Sequence, residues 1–147
     1  PTCGRAFFED AVRGTPIQAI EGEAWDAMAH CDLALPASGT VTVEAALLGA
    51  PMITYYRVTP LTWHTGKWLV NVPFYSMVNL IAERRLVPEL IHHDMTGARI
   101  AEEALRLLGD DAERLRMKQS LAEISARLAG PEDAIARAAA VIGQMLT

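Results

Sequence analysis

Ser38-Gly39-Thr40 is the first group in this chain whose residue types and spacing suit chemistry. It follows a short apolar run at 32–35 and precedes residues 41–48, which have helical spacing. With Ser38 as the N-cap, the N–H groups of Gly39, Thr40 and Val41 are free at the helix start and point outward. Gly39 lets a ligand approach the backbone closely. Free donors and the positive end of the helix dipole favour an anion such as a phosphate. The same three residues equally fit a plain Ser cap on a crossover helix. The turn has neither the GK[ST] ending of a Walker A loop nor a GxGxxG pattern.

Glu44 is the one charged residue between Asp32 and Arg57. A solitary carboxylate on so apolar a helix needs a partner or a task, because burying an unpaired charge is costly. It lies almost two helical turns from Ser38, within reach of a ribose beyond a phosphate, and a carboxylate accepts two hydroxyl donors well. A salt bridge with Arg57 is the competing reading. Asn79 and Arg84 form a third group. Asn79 follows a predicted strand at 72–76, on the same rim as Ser38, where its amide suits a sugar or a base. Arg84 suits a phosphate. Loop capping and surface charge are the alternatives for this pair. His30, His64, His92 and His93 lack metal-ligand spacing, and Cys3 and Cys31 have neither metal nor redox spacing. No serine sits in a nucleophile elbow. Trp63, Lys67 and Trp68, with Phe74 and Tyr75 nearby, fit either an interfacial membrane anchor or core aromatics.

The elements that must hold these residues follow from the pattern of the whole chain. Its 147 residues suffice for one domain with a real core. Apolar content of 51% with 21% charged residues excludes a disordered chain. A net charge of −5 argues against a nucleic-acid partner, which is gripped by clustered Lys and Arg. No signal peptide is evident, and no run reaches the ~20 apolar residues of a membrane span without Gly, Pro or Ser breaking it. The chain opens Pro-Thr-Cys without an initiator Met, which points to a fragment.

Residues 6–12 predict a helix ended by Gly14, 16–20 a short strand, and 23–30 a helix with Ala24, Trp25 and Met28 on one face. The run at 32–35 predicts a buried strand, 41–48 a helix stopped by Gly49, and 51–56 a second apolar strand. This alternation predicts an α/β fold, a parallel sheet flanked by helices on both faces with right-handed crossovers. Thr59-Pro60 restarts a helix, 72–76 reads as a further strand, and Arg84, Arg85, Pro88 and Glu89 form a turn-rich polar patch. Beyond Thr96 the chain becomes helical. One stripe is Ile100, Ala104, Leu107 and Leu108, ended by Gly109. The next, capped by Asp110, is Met117, Leu121, Ile124 and Leu128, and the last is Ile135, Ala138, Ala139, Ile142 and Leu146. The expected division is 1–94 for a partial Rossmann-like nucleotide-sugar-binding domain. Residues 95–147 would be helices that pack on it or on another domain.

These residues also carry a resemblance. The segments 35–45 (LPASGTVTVEA), 49–52 (GAPM), 56–61 (YRVTPL), 72–73 (VP), 79–82 (NLIA) and 87–90 (VPEL) stand in the order found in the lipid-A-disaccharide synthases. The resemblance covers roughly residues 16–94, and the C-terminal helices agree in kind. It implies a GT-B glycosyltransferase, two Rossmann-like domains facing across a cleft, with this chain resembling the C-terminal, donor-binding half. The family moves 2,3-diacylglucosamine from UDP onto 2,3-diacylglucosamine 1-phosphate with inversion, without metal or other cofactor, at the cytoplasmic face of the bacterial inner membrane.

By that resemblance Ser38, Gly39 and Thr40 hold the pyrophosphate, Glu44 the ribose, Asn79 lies beside the donor and Arg84 near the phosphates. A peripheral membrane contact and a homodimer, through the C-terminal helices, are further expectations. The family's proposed catalytic carboxylate belongs to the N-terminal domain, and its Gly-Ser-Arg phosphate segment lies upstream of Pro1. The chain alone is therefore expected to be inactive, with no catalytic residue of its own. Two positions depart from the family pattern: Glu83 where Gly usually precedes the Arg, and His92 where many members have Gln. Two other readings fit the residues. One is another UDP-sugar GT-B transferase or an epimerase. The other is a non-catalytic helical interaction module in which Ser38 is only a cap.

Overall fold

The computed structural model describes residues 4–57, 73–130 and 134–145. The expected helix from Thr59-Pro60, with Trp63, Lys67 and Trp68, lies outside the described residues, as do Cys3, Leu146 and the first residue of the expected 72–76 strand. The described elements are α1 (Arg5–Ala11), α2 (Ala24–His30), α3 (Thr40–Leu47), β1 (Thr54–Tyr56), α4 (Met77–Ala82), β2 (Glu89–Ile91), α5 (Gly97–Leu108), α6 (Asp111–Ala129) and α7 (Ala134–Met145).

Local chemistry explains most of the boundaries. Gly14 and Gly49 take left-handed conformations just beyond α1 and α3, with φ of 78° and 68°. Thr96 caps α5 by accepting from the Arg99 N–H at 3.2 Å. Asp110 caps α6, as expected, by accepting from the Glu113 N–H at 2.8 Å. Three expectations fail. Residues 16–20 form no strand: Ile17 and Ile20 are exposed, and among the described residues no strand lies beside them to complete a ladder. Composition supplies β propensity but not a neighbour. Residues 73–76 are bends leading into α4, with Ser76 as its cap, because Asn79 N donates to Ser76 Oγ at 3.2 Å. Glu89 belongs to no turn; it opens β2.

The sheet is parallel. β1 pairs with β2 in the register Thr54↔Glu89, Tyr55↔Leu90 and Tyr56↔Ile91. On the other side of β1, single bridges join Ala34 to Met52 and Ala37 to Tyr55. The hydrogen bonds there are those of a continuous parallel ladder with one rung missing. Ala34 N–H donates to Pro51 O (2.7 Å), Ile53 N–H to Ala34 O (3.0 Å), Tyr55 N–H to Pro36 O (3.3 Å) and Ser38 N–H to Tyr55 O (2.7 Å). The absent donor is Pro36, which has no N–H. The expected strand at 32–35 is thus present as a ragged edge, displaced toward Ser38, and Leu35 is exposed rather than buried.

One hydrophobic cluster lies between this sheet and its helices. It joins Ala45, Ala46, Ala50, Met52, Ile53, Val78, Val87 and Leu90 to Leu107, Met117 and Leu121 of α5 and α6. The small residues on the buried side of α3, Thr42, Ala45 and Ala46, let α6 lie close against it. Each fully buried aliphatic chain such as Leu107 or Leu121 contributes about 2 kcal/mol. The Met52 N–H, buried beneath α6, donates to Met117 Sδ at 3.4 Å. Two residues of the expected stripes, Leu108 and Leu128, stay exposed, and the described side chains of α7 are all exposed. Among the described residues no helix is long and apolar enough to cross a membrane.

Candidate functional site

Parallel strands bring their C-terminal ends to one edge, which is where open α/β sheets bind ligands. Here that edge collects Ser38–Thr40, Arg57 after β1, and His92 after β2. The turn itself departs from expectation in one respect. Gly39, not Ser38, is the N-cap of α3, with φ 157° and ψ −162°. That region is open essentially to glycine alone. Among the described residues, a Cβ at Gly39 would meet nothing within 4 Å. Thr42 holds the turn from inside: its N–H and its Oγ1 both donate to Gly39 O, at 3.1 and 2.7 Å. The N–H groups of Thr40 and Val41, in the first turn of α3, have no carbonyl four residues back to bond. Ser38 does not cap; its Oγ donates to the Tyr75 carbonyl at 2.9 Å and ties the turn to the entry of α4.

Glu44 follows Thr40 by four residues, so the two share a face of α3. Arg57 is not its partner. The Trp25 indole on α2 donates Nε1–H to Glu44 Oε2 at 2.9 Å. Arg57 itself is exposed at the ligand edge and has no ion pair among the described residues. Sequence reasoning missed Trp25, because its bond spans 19 residues between neighbouring helices.

Asn79 is fully buried, with its amide fully engaged. Nδ2 donates to Val87 O and to Glu89 Oε1, both at 2.9 Å. Oδ1 accepts from the N–H groups of Leu86 and Val87 at 2.8 and 2.9 Å. Two donors and two acceptors are all that an amide offers in this arrangement. Glu89 also accepts the N–H of Ser76 at 2.8 Å and of Tyr75 at 3.2 Å, so a side chain of the protein occupies the start of α4. Asn79 therefore serves as a strut under the rim, and the expected amide contact with a sugar or base is not what this geometry offers.

Arg84 does not join the turn. It follows α4 and precedes β2, which puts it toward the N-terminal ends of the strands. Its Nη2 donates to Ser120 Oγ at 3.0 Å and lies 3.9 Å from Glu123, both on α6. Glu83, just before it, caps α4 in the left-handed conformation, with φ 55° and ψ 19°. A cleft of about 450 Å³ lies beside β2, lined by Pro73, Phe74, Tyr75, Arg85, His93 and Asp94 among others.

Elsewhere, charge serves packing. Arg106 bridges Glu103 and Glu113, and its hydrogen bonds hold the Glu113 carboxyl below the usual range. Partial burial pushes the Cys31 thiol up, in keeping with an ordinary interior thiol.

The sequence also matches known proteins. A protein-family model described as lipid-A-disaccharide synthetase matches residues 11–142. A lipid-A-disaccharide synthase of Solibacter usitatus is 58% identical over 145 residues, covering 99% of this chain and 38% of that protein. The synthase of Acidobacterium capsulatum is 47% identical over 118 residues (80% of this chain, 30% of the relative). That of Myxococcus xanthus is 42% identical over 149 aligned residues (99% and 38%). The chain spans little more than a third of the length of these relatives. On the family match and the identity across almost its whole length, the chain belongs to the lipid-A-disaccharide synthase family.

Proposed function

We propose that this chain is the nucleotide-sugar-binding part of a lipid-A-disaccharide synthase. In this reading the 38–40 turn takes the pyrophosphate of a UDP-sugar and Glu44 its ribose. The observation that carries the proposal is the Gly39 conformation at the C-terminal edge of the sheet. Among the described residues nothing stands over that helix start, and a carboxylate lies one turn farther on the same face. Arg57, exposed at the same edge, supplies a cation for the diphosphate.

The donor is UDP-2,3-diacylglucosamine and the acceptor 2,3-diacylglucosamine 1-phosphate. An acceptor hydroxyl oxygen bonds to the donor's anomeric carbon from the face opposite UDP, and the bond from that carbon to the diphosphate oxygen breaks. The configuration inverts, and the hydroxyl proton passes to a base. No residue of this chain is assigned as that base. The chain's own contribution falls on the leaving group. Negative charge grows on the diphosphate as it departs, and fixed N–H donors aimed there lower the barrier. Work at the cytoplasmic face of the inner membrane and assembly as a homodimer belong to the same proposal.

Titration of UDP into the chain, followed by amide NMR with ADP as control, tests this reading. Shifts clustered at residues 38–44, stronger with UDP and weakened in Glu44→Ala, are the expected result. Silence at millimolar UDP both from this chain, folded, and from a chain extended upstream through the Gly-Ser-Arg segment overturns it.

A further inference from the structure

Trp25 is more than half exposed, at 56%. It nevertheless donates to Glu44 Oε2 at 2.9 Å. The bond joins α2 to α3, two short helices whose mutual packing is otherwise modest. Its principal effect falls on the carboxylate. Glu44 has three side-chain torsions and is only half buried, so it would otherwise sample several directions. The indole fixes one oxygen and leaves Oε1 with the remaining acceptor capacity. Thr40 lies on the same face one turn earlier.

We propose that Trp25 is a positioning residue that sets recognition of the ribose hydroxyls by holding Glu44 in its receiving orientation. The inference rests on the assignment of residues 38–44 to a nucleotide, and deepens it. Two hydroxyls donating to one carboxylate need that carboxylate in a single orientation. A donor that is rigid, bulky and anchored on another helix supplies it at little entropic cost. Phosphate binding at residues 38–40 does not pass through Trp25, so only the nucleoside half of the ligand should feel its loss.

The test compares UDP, 2′-deoxy-UDP and inorganic pyrophosphate on the wild-type chain, Trp25→Phe, Trp25→His and Glu44→Gln. Amide spectra first establish that each variant is folded. The phenylalanine ring keeps the packing but cannot donate; histidine keeps a ring N–H. In Trp25→Phe, UDP affinity should fall about two- to tenfold, the cost of ordering the Glu44 side chain on binding. Its preference over 2′-deoxy-UDP should collapse, pyrophosphate affinity should stay unchanged, and Trp25→His should recover part of the preference. In the wild-type chain the Trp25 indole N–H resonance should shift with UDP and not with pyrophosphate, which needs no variant to fold. An unchanged UDP preference in Trp25→Phe, or an unmoved indole resonance on UDP binding, overturns the role of Trp25 while the nucleotide site stands. Failure of UDP to bind the wild-type chain, alone and extended upstream through the Gly-Ser-Arg segment, overturns both.

Discussion

Gly39 holds a backbone conformation closed to side chains, yet a methyl group there would touch none of the described residues. Cost and space are thus separated at this position. Gly39→Ala should destabilise the chain by about 1–3 kcal/mol, purely through backbone strain, or else reshape the turn. Urea denaturation checks the first outcome and loss of the UDP-induced shifts the second. Wild-type stability together with wild-type UDP binding would refute the strained-turn reading. The residue types of this turn were legible in the sequence because glycine marks itself. What each does was less so. The Ser38 hydroxyl bonds a carbonyl 37 residues away, and the partner of Glu44 comes from another helix. Bonds between remote segments leave no periodic trace.

Among the elements, helices were read better than strands. Their ends are announced locally, by Thr96, Asp110 and Gly109, whereas a strand exists only if a neighbour pairs with it. That is why residues 16–20, read as a strand on two isoleucines, form none, while the short β2 was hidden among charged and turn-prone residues. Position 83 shows a family habit turning into physics. The glycine that the resemblance leads one to expect there would suit the left-handed cap of α4, and this chain puts Glu83 in that conformation at φ 55°. The left-handed state costs a side chain about 1–2 kcal/mol, and a glycine returns up to about 1 kcal/mol through the more flexible unfolded chain. Glu83→Gly should therefore stabilise by about 0.5–1 kcal/mol, a rise of about 2–4 °C in Tm at most. Calorimetry showing a fall would mean that the Glu83 side chain makes a stronger contact than the strain it bears.

For the whole molecule, the α/β alternation was recoverable from apolar spacing, whereas the partner of the C-terminal helices was left open; α5 and α6 join α3 and the sheet region through Leu107, Met117 and Leu121. The outer surface was not recoverable, because exposure depends on what lies beyond each helix. On α7, Ile135, Val141, Ile142 and Met145 are between 56% and 81% exposed. Contiguous apolar surface of this kind drives association. Sedimentation velocity should show a weight-average coefficient that climbs with concentration, and Ile142→Lys should suppress the climb. A constant monomer value up to high concentration would remove α7 as a self-association surface.

Asn79, Glu89, Tyr75 and Ser38 are linked end to end, from a buried amide to the open turn. This series arrangement bears on how an alanine scan of the chain would read. Deleting the amide unmoors Glu89, frees the Tyr75 segment and slackens the anchor of Ser38. A binding assay would then score Asn79 as heavily as a residue that touches the ligand. Functional importance and ligand contact would be indistinguishable in such a scan. An equilibrium unfolding curve run beside the binding curve separates them, because the strut fails in both and a contact in only one.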